Sequence, residues 1–240
     1  MVELMKTGIP GFDDLLKGGL KENNCVLIAG SPGTGKTIFS LQFLIEGAKQ
    51  GEAGIFITLE EAPDDLRLYA KSFGWDIEEY EKKGLITFVQ ESVSQKKFIG
   101  SSTPLALIKR KNIRRVVIDS ITLFEHAHIL GEKDLREDIL DFISSMKESN
   151  VTLLATSEKS IVNLDDFTYN PEDFLFDGLV VLVKIRKGNS YEDCITIQKM
   201  RGQEHSLSIV PIKITKDGIK IFPNELPFSL IEKDIKEGKL

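Results

Sequence analysis

The 240-residue sequence holds only two cysteines, one tryptophan and three histidines. It also lacks any apolar run near the ~18–20 residues of a membrane span. Each scarcity excludes something. Cys25 and Cys194 lie far apart inside apolar runs, so two buried thiols are expected rather than a disulfide or a cysteine-based metal site. His126 and His128 have no cysteine or carboxylate around them at ligand spacing, and a polar loop is the better reading. The opening Met-Val-Glu-Leu-Met-Lys has no long apolar core of the signal-peptide kind, so a cytoplasmic location is expected. The formal charge of −6 supplies no overall basic footprint for nucleic acid. Lys109, Arg110, Lys111, Arg114 and Arg115 do cluster, but just before a buried-strand signal, where a solvated helix end and turn explain them equally well. No internal repeat, low-complexity stretch or linker divides the chain. Its length suits one α/β domain over residues 1–240, with 226–240 either a short helix docked on a neighbour or a disordered tail.

What is present is an alternation of strand and helix signals. Cys25–Ala29 is an unbroken apolar run ending at Gly30, the pattern of a fully buried parallel strand. Ile38, Leu41, Ile45 and Ala48 follow at helical spacing, closed by Gly51. Strand Ile55–Leu59 comes next, then a helix opened by Pro63 and stopped by Gly74, with Trp75 expected to pack at that stop. A short charged helical turn precedes strand Leu85–Val89, and residues Ser92–Ser102 read as a surface loop. Strand Val116–Ile118 ends at Asp119. Asp134 is placed to cap a helix whose apolar stripe is Leu135, Ile139, Phe142, Ile143 and Met146. Strand Val151–Ala155 and a loop over Asn163–Asp173 follow. The texture then changes to paired β runs, Leu179–Ile185 with Cys194–Ile197, and Ile212–Thr215 with Ile219–Phe222, each around turn residues. A mostly parallel, helix-flanked sheet with antiparallel C-terminal hairpins is the expected fold.

Gly30-Ser31-Pro32-Gly33-Thr34-Gly35-Lys36-Thr37 matches G-x-x-x-x-G-K-[ST], between a buried strand and an amphipathic helix. Glycines let successive backbone N–H groups converge on phosphates, and the helix N-terminus adds the positive end of its dipole. Lys36 is suited to the β- and γ-phosphate oxygens, and Thr37 to a Mg²⁺ ion. The implied ligand is ATP with Mg²⁺. Asp119, at the C-terminal end of its strand, can face the same crevice and hold the metal through water, although aspartate also ends strands as a simple cap. Glu60 and Glu61 end their strand as an adjacent pair. They suit activation of water, or equally an acidic first turn before the Pro63 helix.

Taken together these segments resemble the KaiC-like ATPases of the RecA superfamily. The likeness runs from Thr7-Gly-Ile-Pro-Gly-Phe-Asp13 and Gly18-Gly19-Leu20 through the phosphate loop. It continues through Ile57-Thr-Leu-Glu-Glu61, Asp119-Ser120, Lys199-Met-Arg-Gly202 with His205, and Ile214–Ile219. The resemblance implies a RecA-like P-loop fold and ATP hydrolysis served by Glu60 and Glu61. It also implies a hexameric ring with ATP at subunit interfaces, where Lys199 and Arg201 of one subunit reach the neighbour's γ-phosphate and His205 adds a further contact. A regulatory role through a protein partner is expected, with Ser120–Leu130 as the candidate partner surface; the acidic charge argues against the alternative, a DNA-binding recombinase. A third reading is a nucleotide-gated scaffold with little turnover. Two departures stand out. Ser160-Ile-Val-Asn163 has no adjacent Ser-Thr pair, which argues against autophosphorylation. Lys216 replaces the acid expected in the hairpin near the neighbour's nucleotide, so base and ribose contacts are not carried over.

Overall fold

The computed structural model describes residues 3–91, 102–122, 135–161 and 167–231. The expected loop at 92–101, His126 and His128, the Asp134 cap, most of the 120–130 partner surface, residues 163–166 and the chain beyond 231 lie outside the described residues. No described helix is long and apolar enough to cross a membrane.

The chain forms a nine-stranded sheet of order β11-β10-β9-β8-β3-β7-β6-β4-β5. Its parallel half comprises β3 (Cys25–Gly30), β4 (Gly54–Thr58), β5 (Ile86–Gln90), β6 (Arg115–Asp119), β7 (Thr152–Glu158) and β8 (Gly178–Lys187). The antiparallel half adds β9 (Ser190–Met200), β10 (Val210–Thr215) and β11 (Gly218–Ile221). The expected architecture is therefore the observed one, RecA-like and α/β. Side chains alternate across each strand, and both faces are covered. On β3, Val26 and Ile28 join one buried cluster, while Cys25, Leu27 and Ala29 join the other. Both cysteines are free and buried, and desolvation pushes each thiol up to about 12.

Helix α2 (Lys36–Lys49) packs on the first face. Besides Leu41, Ile45 and Ala48 of the expected helical spacing, Phe39, Gln42 and Phe43 are buried as well. Two segments cover the outer side. The short strands β1 (Leu4–Met5) and β2 (Leu20–Lys21) and the turn of helix α1 (Phe12–Leu15) fold over it, with the Phe12 and Phe39 rings edge to face at 5.0 Å. From the other side β11 is clasped by the Gln42 amide, which accepts from Ile219 N at 2.6 Å and donates to Ile219 O at 3.1 Å. Four further helices are α3 (Pro63–Ser72), α4 (Ile77–Lys82), α5 (Ser102–Arg110) and α6 (Leu135–Glu148). Trp75 stacks on Phe73 at 4.9 Å and packs against the first cluster, as expected at a helix stop.

Several local readings need correction. Ser102 opens helix α5 rather than closing a loop, and Pro171–Phe174 forms a 3-10 turn at the end of the other expected loop. The basic cluster is not one solvated face. Arg115 is 0% exposed; its guanidinium donates to Glu52 at 2.7 Å and to the carbonyls of Lys6 at 2.8 Å and Phe43 at 2.9 Å. Arg114 pairs with Glu22, and Lys111 donates to Thr87. A long cation flanked by apolar residues at a strand start reads as surface in one dimension; the sheet and helix α2 enclose it in three. Residues 228–231 are helical and bond to their own chain, with Glu192 accepting from Phe228 N, Ser229 N and Ser229 Oγ.

Candidate active site

The phosphate loop leaves the C-terminal end of β3 and turns into α2. At Gly30 a Cβ atom would meet Leu182 O at 2.6 Å and Thr34 Oγ1 at 2.7 Å, so no larger residue fits there. Gly35 caps α2 with φ of +97°, a left-handed backbone that glycine adopts without strain. The loop is braced from within by Thr34 Oγ1 donating to Ser31 O at 2.8 Å. From outside, Ser31 Oγ donates to Lys159 O at 2.9 Å, and Lys159 N donates to Gly30 O at 3.1 Å. Pro32 and Gly33 form the exposed tip. The amides of the loop and of the first α2 turn are thus presented at a helix N-terminus, a ready anion site.

Parallel pairing brings the neighbouring strand ends to the same crevice, a cleft of about 470 Å³. Lys36, Thr37, Glu60, Glu61 and Asp119 all line it. Thr37 Oγ1 donates to Asp119 Oδ2 at 2.7 Å, and Thr156 Oγ1 donates to Asp119 Oδ1. Burial raises the Asp119 pKa above the usual carboxylate range, against those two hydrogen bonds. Lys36 is 8% exposed and donates to Gly30 O at 2.9 Å and Ser31 O at 3.2 Å, with Glu158 at 3.9 Å. Burial lowers its pKa, and the charges of Glu158, Asp119 and Glu60 oppose that shift.

The two glutamates are not equivalent. Glu60 is exposed to the cleft, and its Oε1 accepts from Ser120 Oγ at 2.7 Å. Glu61 turns inward beside Thr58, which bonds its main chain, and its Oε2 is buried with no hydrogen-bond partner. Burial raises the Glu61 pKa, Asp119, Glu60 and Asp65 add to the rise, and a side-chain hydrogen bond with Tyr69 opposes it.

The family model described as ATPase: KaiC matches residues 5–226. The chain belongs to the KaiC ATPase family. It is 36% identical over 229 residues to a circadian clock oscillator protein KaiC of Parathermosynechococcus lividus, covering 91% of this chain and 42% of that protein. It is 34% identical over 256 residues to a UPF0273 protein of Pyrococcus horikoshii, covering 100% of this chain and 99% of that protein. The crystal structure of a KaiC-like protein from the same archaeon superposes with a TM-score of 0.79 at 37% identity, covering 93% of this chain and 100% of that one. The chain spans about half the length, or less, of the clock-protein relatives it matches.

In this KaiC-family chain Lys199, Arg201 and His205 stand apart from the other site residues. Lys199 pairs with Leu179, which pairs with Leu27, whereas the phosphate loop begins beside Leu182. Three strand residues and two strand spacings separate them, roughly 14 Å of backbone. Lys199 Nζ donates to Phe176 O at 2.5 Å, and Arg201 Nη2 donates to Phe174 O at 2.9 Å, at the opposite end of the sheet from the cradle. His205 Nδ1 lies 3.0 Å from Ser206 O, also outside the cleft. Sequence reasoning missed two residues of β7: Glu158, which lines the cleft, and Thr156, which is buried behind it and bonds Asp119. Their signal was an apolar strand, Leu153-Leu-Ala155, turning polar at its C-terminal end, the rule that picked out Asp119.

Proposed function

We propose that this chain acts as one ATPase domain that binds ATP with Mg²⁺ and hydrolyses it slowly at sites shared between protomers of a ring. The observation that supports this most is the convergence of Lys36 and Thr37 with Asp119, Glu60 and Ser120 in one cleft at a helix N-terminus. Thr37 and Asp119 are adjacent hard-oxygen donors, and the carboxylate is buried with a raised pKa, an environment that a divalent cation suits. The metal supplies neutralisation of phosphate charge.

The residues then divide the work. The loop amides and Lys36 bind the phosphates, with the ammonium exchanging the Gly30 and Ser31 carbonyls for phosphate oxygens. Glu60, aimed by Ser120, accepts a proton from water as its oxygen bonds to the γ-phosphorus and the bond to the leaving ADP oxygen breaks. Glu61, half-buried beside it, lines the same cleft without the Ser120 contact. Lys199 and Arg201, with His205, meet the γ-phosphate of a neighbouring protomer, for their distance from the cradle of their own chain suits delivery in trans. Such cations are worth ~10³–10⁵ in turnover. A cytoplasmic location and a regulatory role through a protein partner complete the reading.

Phosphate release tests it. Turnover should vanish in Lys36→Ala and fall sharply in the Glu60→Gln, Glu61→Gln double variant. Arg201→Ala should keep ATP affinity within a few fold while losing turnover, and mixing it with Lys36→Ala should restore activity. Wild-type rates in the double variant, or no rescue at any mixing ratio, would each remove one part of the proposal.

A further inference from the structure

One buried ion pair has no part in the chemistry above, yet touches both halves of it. Lys159 Nζ pairs with Asp173 Oδ2, with side chains 8% and 1% exposed. A pair this desolvated is costly to form, and breaking one partner is costlier still, so it holds the two main-chain segments it joins in a fixed relation. On one side, the Lys159 main chain closes the phosphate loop through Gly30 O and Ser31 Oγ, and Ile161 N donates to that same hydroxyl at 3.2 Å. On the other side, Asp173 lies within the 3-10 turn Pro171–Phe174, where its Oδ2 also accepts from Asn170 N at 2.9 Å. The carbonyls that follow hold the two distant cations. Lys199 Nζ bonds Phe176 O and lies 3.3 Å from Asp173 O and 3.4 Å from Phe174 O, while Arg201 Nη2 bonds Phe174 O.

We propose that the buried Lys159–Asp173 pair is a positioning element, setting where a protomer holds Lys199 and Arg201 for its neighbour and tying that setting to its own phosphate cradle. Neither side chain touches ATP in this account; both act through the 173–176 carbonyls. The proposal rests on the shared-site reading, and it goes beyond it by naming what aims the cations. Because the pair is one bond from the cradle and one from the cations, movement of the phosphate loop at one site has a direct route to the next.

The test is a mixing experiment on the full-length protein. Lys159→Met should lower kcat about 10²-fold, the scale of an ~1 Å misplacement, while KM for ATP changes by only a few fold. Lys159→Arg should keep most of the rate. Mixed with Lys36→Ala, which has intact cations but a dead cradle, Lys159→Met should regain turnover; mixed with Arg201→Ala it should not. Asp173→Asn retains an acceptor for Asn170 N and is read in the same way should Lys159→Met fail to fold. Normal kcat in both variants overturns the proposal. So does a loss that Lys36→Ala fails to rescue while it rescues Arg201→Ala, since the defect then lies in the variant's own cradle. If Lys36→Ala fails to rescue Arg201→Ala itself, the shared-site reading falls first.

Discussion

Replacing Arg115 with alanine should cost this protein more stability than any other change in its basic cluster. The guanidinium is fully enclosed between β6 and α2, and a Cβ on Gly47 would come within 2.5 Å of its Cδ and Nε. Its ring partner is Phe43, with the guanidinium carbon 4.7 Å from the centroid. Burial lowers its pKa, and the Glu52 carboxylate opposes that shift. Alanine removes the hydrogen bonds to Glu52, Lys6 O and Phe43 O, yet the losses do not simply add. Glu52 is 25% exposed and can turn to water, and the Phe43 carbonyl stays inside helix α2. Breaking one side of a buried pair costs ~3–5 kcal/mol, so about 4 kcal/mol is expected for alanine. Arg115→Met keeps the packed stem and should lose about half of that. At ~2–4 °C per kcal/mol for a chain of this size, Arg115→Ala should melt roughly 8–16 °C lower. Thermal melting followed by circular dichroism measures it. A drop under about 2 °C would refute the burial argument and return Arg115 to a surface role. The consequence reaches the site, since Arg115 anchors the strand whose other end carries Asp119.

Three further outcomes follow from the cleft. Burial raises the Asp119 pKa in the nucleotide-free fold, so its contribution to stability is fully present below the unfolded value and lost as pH rises through the folded one. Asp119→Asn should therefore melt no lower than wild type at mildly alkaline pH while losing Mg²⁺-supported turnover; a lower Tm contradicts the sign. Ser120→Ala, which frees Glu60, should reduce kcat by about tenfold with ATP affinity unchanged, less than the ~10²–10⁴ of a whole general base. Thr156→Val removes one of two donors to Asp119 and should shift the Mg²⁺ concentration for half-maximal turnover, with a flat response counting against the metal assignment.

The parts legible in one dimension are those whose physics is local. The phosphate loop is a short motif in a strand-to-helix context, and the parallel strands are unbroken apolar runs, so both can be found without any neighbour. Asp119 needed only the rule that strand ends in such sheets face the ligand. What stayed hidden depends on pairing across the chain. Glu158 reaches the cleft, and Thr156 reaches Asp119, because β7 lies between β3 and β6, an order that no periodicity reveals. Glu60 and Glu61 are chemically identical neighbours, and only the direction of each carboxyl, toward Ser120 or into the interior, separates them. Arg115 was misread because burial of a cation requires partners that are 63 and 72 residues away. The opening Thr7–Asp13 motif likewise proves to be a clasp: Asp13 Oδ1 accepts from Thr7 N at 3.1 Å and Thr7 Oγ1 at 2.6 Å.

The central claim is that the loop from Gly30 to Thr37, with Asp119 opposite, grips a nucleotide and its metal together. Isothermal titration of ATP into the purified protein, with Mg²⁺ and then with the metal chelated, tests that most directly. The account predicts saturable heat with Mg²⁺, weaker binding without it, and none in folded Lys36→Ala. Equal heats in wild type and Lys36→Ala, or no heat from folded wild type with ATP and Mg²⁺, would contradict it.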